Sequence, residues 1–361
     1  MMTSAMKNIT KMARLDRQSN IESLRILAIF LILVVHADFW ALGAPSSEEI
    51  RKLPTASTTR FLIESVSICA VNVFVMISGW FGIHPKAKSL FNFLFQCAFF
   101  LFGIYLVKVL LTGKVSGEGI KGCLLLLKHN WFIKAYLMLY IFSPVLNEFV
   151  EHTNKKTFKI VLICYFLFQT VYGWCSEGAQ WFKDGYSAIS FMGIYLFMRY
   201  LRRFTPPYLP KKSSLFFMTL YISCVLIITV LAILQTLHII PGWLMFGKMY
   251  SYANPLVIIE SLALFLLFTR FEFKSKVVNF IAASTFAVFL LHTNPNIGKP
   301  YFVPLINRAY QMYDGIACLS VLFAILVAIF ILAIAIDQIR IWLGSCIWTR
   351  IINRNIRNNT V

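Results

Sequence analysis

Asn20-Ile-Glu-Ser-Leu-Arg25-Ile-Leu-Ala-Ile-Phe-Leu-Ile-Leu-Val-Val-His36 is the stretch that decides the fold class of this chain. Its centre, residues 26–35, is continuously apolar and lacks the alternation of a half-buried strand. A helix that crosses a lipid bilayer needs about 20 predominantly apolar residues. The stretch therefore predicts a membrane-spanning helix with ionisable side chains near both of its ends.

The rest of the chain repeats this pattern. Of its 361 residues, 59% are hydrophobic and only 14% are charged, whereas about 25% of the residues of a soluble domain are charged. Ten apolar runs are candidate spans: 21–41, 61–83, 89–111, 131–149, 157–175, 186–201, 213–238, 254–270, 277–293 and 315–340. They predict an all-α integral membrane protein, a bundle of about ten transmembrane helices.

The net charge of +19 is the second global feature. In a soluble protein such a charge indicates a nucleic-acid partner, but in a membrane protein it is expected from basic cytoplasmic loops. With both termini in the cytoplasm, inside segments hold about twice as many lysines and arginines as outside loops. The charge distribution thus predicts cytoplasmic termini, a multi-pass protein in the lipid bilayer and no nucleic-acid partner.

Three parts of the chain follow from these patterns. Residues 1–20 are polar and basic and form a cytoplasmic N-terminal segment, residues 21–340 form the ten-helix membrane domain, and residues 341–361 form a basic amphipathic cytoplasmic tail. The eight cysteines form no CxxC pair, and the six histidines form no HExxH motif. We therefore expect neither a metal site nor a permanently bound cofactor.

The first span carries the strongest candidate residues. Arg25 and His36 are eleven residues apart, which is three helical turns plus about 20°, so they share one face at an axial separation of about 16 Å. Ionisable groups inside a span are energetically costly and are therefore functional candidates. The alternative for Arg25 is an arginine that reaches the inner interface and pairs with Glu22. The alternative for His36 is a histidine that is hydrogen-bonded inside the bundle.

This arrangement resembles a known family. Arg25 and His36 match the R-x10-H signature of the membrane-bound acyltransferase 3 family, which O-acylates bacterial cell-surface glycans. Four further stretches resemble landmarks of the same family in the same order: Ala70–Trp80 (AVNVFVMISGW), Asn130–Asn147 (NWFIKAYLMLYIFSPVLN), Tyr252–Pro255 (YANP) and Phe289–Pro295 (FLLHTNP).

The resemblance implies an integral-membrane O-acyltransferase in the bacterial cytoplasmic membrane. Its co-substrate would be acyl-CoA on the cytoplasmic side, with acetyl as the expected acyl group. Its acceptor would be a hydroxyl of a cell-surface or lipid-linked glycan. These are expectations from the family, since the residues themselves specify neither the acyl group nor the acceptor.

Residue chemistry and family resemblance suggest the same mechanism. Acyl transfer to a hydroxyl needs a base near the acceptor proton, and His36 is the candidate for this general base. Arginine suits both the phosphates of CoA and a developing oxyanion. Arg25, with Glu22 beside it, is therefore the candidate for substrate binding.

Other polar residues are further candidates for the site. Glu64, Glu260 and His292 fall near the predicted outer ends of their spans, at a depth similar to that of His36, so one of them could orient the imidazole. Solvation at the membrane interface is the alternative for each of the three. Trp131 could stack on a sugar or belong to an interfacial aromatic belt, and Arg308 could contact the acceptor or only anchor its loop.

A second function class is a transporter or flippase. In that interpretation Arg25, Glu260 and the histidines form an ion or proton path through the membrane. Many secondary transporters contain inverted repeats, and no internal repeat is evident in this sequence. The ordered family landmarks favour the enzyme.

Overall fold

The structure is a computed structural model that describes residues 18–124, 130–176, 181–206, 209, 212–240 and 248–358, with the backbone alone at 122, 124 and 346–358. The described residues form helices joined by turns, and no strand occurs among them. In chain order the helices are α1 (Ser19–Val35), α2 (Ser47–Lys52), α3 (Pro54–Ser67), α4 (Ala70–Phe81), α5 (Ala87–Thr112), α6 (Gly117–Leu124), α7 (Trp131–His152), α8 (Lys155–Phe168), α9 (Ala188–Arg203), α10 (Ser214–Thr236), α11 (Pro255–Phe268), α12 (Lys276–Ala282), α13 (Phe286–His292), α14 (Val303–Met312) and α15 (Gly315–Asn358).

Seven helical segments in the described part of the chain are long and apolar enough to span a membrane. They are Ser19–Trp40, Pro54–Phe81, Ala87–Thr112, Trp131–His152, Lys155–Cys175, Ser214–Thr236 and Gly315–Ser345. The other three predicted spans coincide with shorter helices, namely α9, α11 and the consecutive pair α12 and α13. The all-helical, multi-pass fold is therefore confirmed, while the count of about ten spans, the location of the termini and the three-part division remain predictions.

The chain divides into two compact units. The first comprises Met1–Pro85 and Asn130–Ala282, and the second comprises Lys86–His129 and Ala283–Val361. The first unit therefore contains the predicted residues Arg25 and His36. Residues 1–17 of the predicted N-terminal segment lie outside the described residues, as do the last three residues of the predicted tail.

Helix α4 is central to the first unit, where it packs against α1, α9 and α11. Gly79 allows this close packing, because a Cβ at this position would lie 2.8 Å from both the Met198 Cβ and the Tyr195 carbonyl oxygen. Small residues at helix contacts let helices approach closely in membranes. The packing brings α1, α4 and α9 together around the turn that follows α4.

The second unit has its own buried polar group. Asp337 is completely buried and accepts two hydrogen bonds from Arg340, one turn further along α15, at 2.7 and 2.8 Å. The Gln96 side chain on α5 donates a third hydrogen bond to the same carboxylate, at 3.0 Å. Apolar side chains at both ends of these long helices are exposed, for example Leu110 and Ile316, which suits contact with lipid.

Candidate functional site

Arg25 lies at a pocket within the first unit. The pocket has a volume of about 180 Å³ and is lined by Arg25, Phe74, Ile77, Ser78, Phe81, Gly82, Ile83 and Tyr136. The Arg25 side chain is 29% exposed, and its Nε lies 3.6 Å from Oε2 of Glu22. The predicted pairing with Glu22 is present, but the distance is too long for a hydrogen bond.

The pocket walls are mainly apolar and carry one pair of hydroxyl groups. Ser78 Oγ and the Tyr136 hydroxyl are 3.2 Å apart. Because the Ser78 hydroxyl donates to the Phe74 carbonyl at 3.3 Å, the Tyr136 hydroxyl is the donor to Ser78. A cation at one point of an apolar pocket suits a ligand that joins an anionic group to an uncharged chain.

A rigid turn closes the pocket after α4. The Ile83 N–H donates to the Tyr195 hydroxyl at 3.0 Å, and the Ile83 carbonyl accepts from Asn147 Nδ2 at 2.8 Å. The Tyr195 hydroxyl in turn donates to Asn147 Oδ1 at 2.5 Å. The chain therefore satisfies both backbone groups of Ile83 and holds the neighbouring Gly82 in place.

Arg199 on α9 is a residue that sequence reasoning missed. A Cβ at Gly82 would lie only 3.0 Å from Arg199 Nη1, so the guanidinium packs directly on the pocket-lining glycine. Basic residues near span ends are ordinarily signals of membrane topology. The position of Arg199 inside the predicted span 186–201, as an intramembrane charge, was the signal that could have identified it.

His36 lies where α1 changes its helical register. It opens the π-helical segment His36–Trp40, which continues α1. The half-buried imidazole lies edge-on to the Trp40 ring, with 5.4 Å between ring centroids. Arg25 and His36 thus occupy one continuous helical segment, as predicted, and the intervening Ile29 and Ile32 are buried in the helix packing. Such π-helical turns are frequent at functional sites.

Two residues of α3 hold this π-helical segment. Arg60 Nε lies 2.6 Å from Oδ1 of Asp38, and its Nη2 donates to the Gly43 carbonyl. One turn further along α3, the Glu64 carboxylate accepts a hydrogen bond from the Phe39 backbone. Glu64 is only 3% exposed, and its Oε2 has no hydrogen-bond partner in the described structure. We name Asp38, Arg60 and Glu64 the α3 clamp.

Glu260 is completely buried on α11. Its polar neighbour is the thiol of Cys69. The backbone carbonyl of Cys69 accepts a hydrogen bond from the hydroxyl of Ser261, the residue after Glu260, at 3.2 Å. Neither carboxylate oxygen of Glu260 accepts a hydrogen bond from an N–H or O–H group of the described residues. The surroundings of Glu260 are therefore protein rather than the membrane interface.

Two predicted candidates belong to the second unit. His292 is completely buried on α13, and its Nδ1 lies 2.5 Å from the carbonyl oxygen of Val288, one turn earlier. Its ring packs against Phe289 and Phe302. Arg308 is exposed on α14. The roles predicted for both residues remain predictions.

Trp131 begins α7 within an aromatic cluster of the first unit. Its ring centroid lies 4.5 Å from that of Tyr186 and 5.9 Å from that of Tyr252, to which it is stacked. The Tyr252 carbonyl accepts a hydrogen bond from Asn72 at 3.0 Å. Tyr186 is 37% exposed, so the cluster has an accessible aromatic face. Packing and sugar stacking both remain compatible with Trp131.

One group in the described part of the chain has the spacing of metal ligands. Glu148, Glu151 and His152 offer ligand atoms within 4.8 Å of one another on the exposed surface of α7. His152 Nε2 already lies 2.9 Å from Glu148 Oε1, as an i,i+4 pair. Exposed acidic groups of this kind are compatible with simple surface ion pairing.

The site residues lie within a sequence that matches a known domain family. The family model of the acyltransferase 3 family, described as an acyltransferase domain, matches residues 18–338. No curated protein and no solved structure matches the chain. The match covers nearly the whole chain, including the pocket, His36 and most of each compact unit. The chain is therefore a membrane acyltransferase that belongs to the acyltransferase 3 family.

Proposed function

We propose that this protein transfers an acyl group, acetyl in the first instance, from cytoplasmic acyl-CoA to a hydroxyl of a cell-surface or lipid-linked glycan. The proposed location is the bacterial cytoplasmic membrane. The observation that carries the proposal is the Arg25 pocket, which opens on the same helical segment that bears His36. A binding cation and a candidate base are thus held by one element.

The donor side of the proposal rests on the composition of the pocket. CoA joins phosphate groups to a long uncharged pantetheine arm that ends in the thioester. Arg25 supplies the cation for the phosphates, and the walls formed by Phe74 and Ile77 suit the arm. The axial separation of about 16 Å between Arg25 and His36 is comparable to the distance between the phosphate and the thioester in extended acyl-CoA.

The chemical step follows from these assignments. The acceptor hydroxyl oxygen forms the new ester bond to the thioester carbonyl carbon, and the carbon–sulfur bond breaks. His36 accepts the proton from the attacking hydroxyl and returns it to the departing CoA thiolate. The products are the glycan ester and CoA with a free thiol, so atoms and charge balance without a further reactant.

The acceptor side draws on the aromatic cluster. Tyr186 presents an exposed ring beside Trp131, and aromatic faces of this kind can pack against a sugar ring. The α3 clamp contacts the π-helical segment that His36 opens. In this proposal the clamp keeps the base in place while the sugar is presented to it.

Release of CoA thiol by membranes that contain the protein is the direct test. Membranes supplied with acetyl-CoA and the glycan fraction of the producing cell should release thiol and form glycan ester in equal amounts. The matched control is the same membrane with His36→Ala, which should release no thiol above background. Glycan or lipid movement without thiol release, in membranes that respond to an ion gradient, would replace the proposal by the transporter interpretation.

A further inference from the structure

A second guanidinium is packed on the turn that closes the Arg25 pocket. Gly82 has φ of +78°, a conformation that glycine adopts readily and other residues rarely adopt. A Cβ at this position would lie 3.0 Å from Arg199 Nη1, 3.3 Å from its Cζ and 3.5 Å from His84 Nε2. The absence of a side chain at Gly82 is what lets Arg199 lie against the backbone there.

One donor of each of these two arginines lacks a hydrogen-bond partner in the described part of the chain. The Nε atoms of both Arg25 and Arg199 are buried, and neither has a hydrogen-bond partner among the described residues. A buried donor without a partner costs free energy that an incoming acceptor recovers. Arginine donors recover it best with anionic oxygens, through charge-assisted hydrogen bonds. Arg25 keeps its 3.6 Å ion-pair contact to Glu22, and both Nε donors remain able to bind an anionic oxygen.

The turn that carries the site is fixed before any ligand arrives. The Tyr195 hydroxyl accepts a hydrogen bond from the Ile83 N–H at 3.0 Å, and Asn147 donates one to the Ile83 carbonyl at 2.8 Å. Arg199 is on the same helix as Tyr195, one turn further along. Such preorganisation favours binding, because little side-chain or backbone freedom is lost when the ligand arrives.

We propose that Arg199 and Arg25, on the turn at Gly82, form a phosphate site that binds the diphosphate of the acyl donor. The inference rests on the proposed function, since it takes acyl-CoA as the donor. In CoA the diphosphate is joined directly to the pantetheine arm. In this proposal the diphosphate lies at the Gly82 turn, and the arm begins along the apolar wall that Phe74 and Ile77 form in the same pocket.

The phosphate of a lipid headgroup shares this chemistry, so the experiment separates the two sources. The purified protein is placed in nanodiscs of phosphatidylcholine alone, and binding of CoA and of phosphate-free S-acetylpantetheine is measured by calorimetry. Arg199→Gln should weaken CoA binding about 10- to 100-fold and leave S-acetylpantetheine binding unchanged. Arg199→Lys should retain part of the CoA affinity, because it keeps the charge but loses the planar fork.

Two further variants make the result specific. Gly82→Ala should also weaken CoA binding, because its Cβ would crowd the Arg199 guanidinium and alanine would strain the turn at this positive φ. Arg203→Gln is the matched control on the same helix, since Arg203 is exposed and its guanidinium lies over the Phe204 ring at 4.9 Å. This control should bind CoA with wild-type affinity.

Each alternative outcome has a distinct meaning. Equal CoA affinity in wild type and in a folded Arg199→Gln variant overturns the inference while the proposed function stands. A separate case is equal CoA affinity while Arg199→Gln, in nanodiscs that also contain phosphatidylglycerol, loses phosphatidylglycerol that the wild type retains tightly. In that case Arg199 binds the phosphate of a lipid headgroup instead. Wild-type protein that binds neither CoA nor acetyl-CoA overturns the proposed donor together with this inference.

Discussion

Two arginines lie near opposite ends of the first membrane span, Arg25 as part of that helix and Arg60 as a contact from α3, and their surroundings differ. Arg25 keeps a loose 3.6 Å contact to Glu22 and lines a pocket. Arg60 reaches the helix from α3, lies 2.6 Å from Asp38 and also bonds the Gly43 carbonyl. A guanidinium with unsatisfied donors is available to a ligand, whereas one with its donors occupied holds structure. The comparison teaches that burial and pairing, more than residue type, separate a binding cation from a structural one.

The largest effect is expected at His36, which lies between the two arginines along the chain. His36→Ala should lower glycan acylation about 10²- to 10⁴-fold, the usual contribution of a general base, with unchanged abundance in the membrane. His36→Gln keeps a hydrogen-bonding side chain but cannot accept the proton, so it should fail nearly as badly. Surface-glycan ester content is the measurement. Near-normal acylation by the glutamine variant would move the base assignment to another group, with Glu260 and His292 tested first.

Loss of the structural arginine should show itself in stability. Arg60→Ala leaves the Asp38 carboxylate buried without its cation, which costs about 3–5 kcal/mol when a buried pair loses one partner. The midpoint of thermal unfolding in detergent should fall markedly, and the double variant with Asp38→Ala should recover part of the loss. Arg25→Ala is the comparison variant and should unfold close to wild type. Equal unfolding midpoints for the two arginine variants would remove the distinction drawn between them.

The binding arginine should show itself in activity alone. Arg25→Lys keeps the charge but loses the planar fork that grips phosphate or oxyanion. We expect about a 10- to 100-fold loss of thiol release at low acetyl-CoA, on the scale of a charged hydrogen bond, with normal insertion and stability. Full activity in Arg25→Ala would instead assign Arg25 to the membrane interface.

The smallest effect is expected at the exposed neighbour of the α3 clamp. Glu49 and Ser46 form a capping box at α2, and the hydrogen bonds from Ser46, with a smaller effect of the Arg60 charge, lower the pKa of Glu49. Because the folded-state pKa is lowered, this stabilisation is present at neutral pH and is lost as the pH falls through that pKa. Glu49→Gln keeps a side-chain oxygen that can accept from the Ser46 N–H, so it should cost little stability, and it should remove this acid sensitivity.

Amide hydrogen exchange across residues 47–52 is the measurement for this last prediction. Wild-type protein should exchange faster in acid, relative to the intrinsic rate, and the variant should show no such change. An acid-dependent change that persists in Glu49→Gln would assign it to another group. A change in acylation activity would contradict the purely local role of this cap.

The sequence predicted those features that a single helix determines. The shared helix of Arg25 and His36 and the Glu22 neighbour follow from spacing, and the long apolar spans follow from composition. The α3 clamp did not follow, because Asp38 and Arg60 are 22 residues apart and belong to different helices. Arg199 is recognisable in the sequence as a charge inside the predicted span 186–201, but its contact with Gly82 depends on the packing of α4 against α9.

The shorter helices mark another limit of prediction from sequence. Hydropathy identifies a span by its length and lipid-facing composition, whereas α11, at 14 residues, has much of its surface buried by protein. Sequence order also does not reveal how the chain divides into compact units. His292, predicted near the outer end of its span, and Arg308, predicted in a loop, both belong to the second unit.

The π-helical segment His36–Trp40 makes the geometry of the site depend on the exact number of residues in this part of the chain. A π-helical turn accommodates one residue more than an α-helical turn. Deleting one residue from 37–40 would restore an ordinary α-helix and rotate the downstream chain by about 100° relative to the helix before it. His36 would keep its position and no side chain proposed to contact substrate would be lost. The contacts between the π-helical segment and Arg60 and Glu64 on α3 would nevertheless be broken. This segment should therefore tolerate a point substitution better than the deletion of a single residue. Natural insertions and deletions in this family are expected to avoid these four positions.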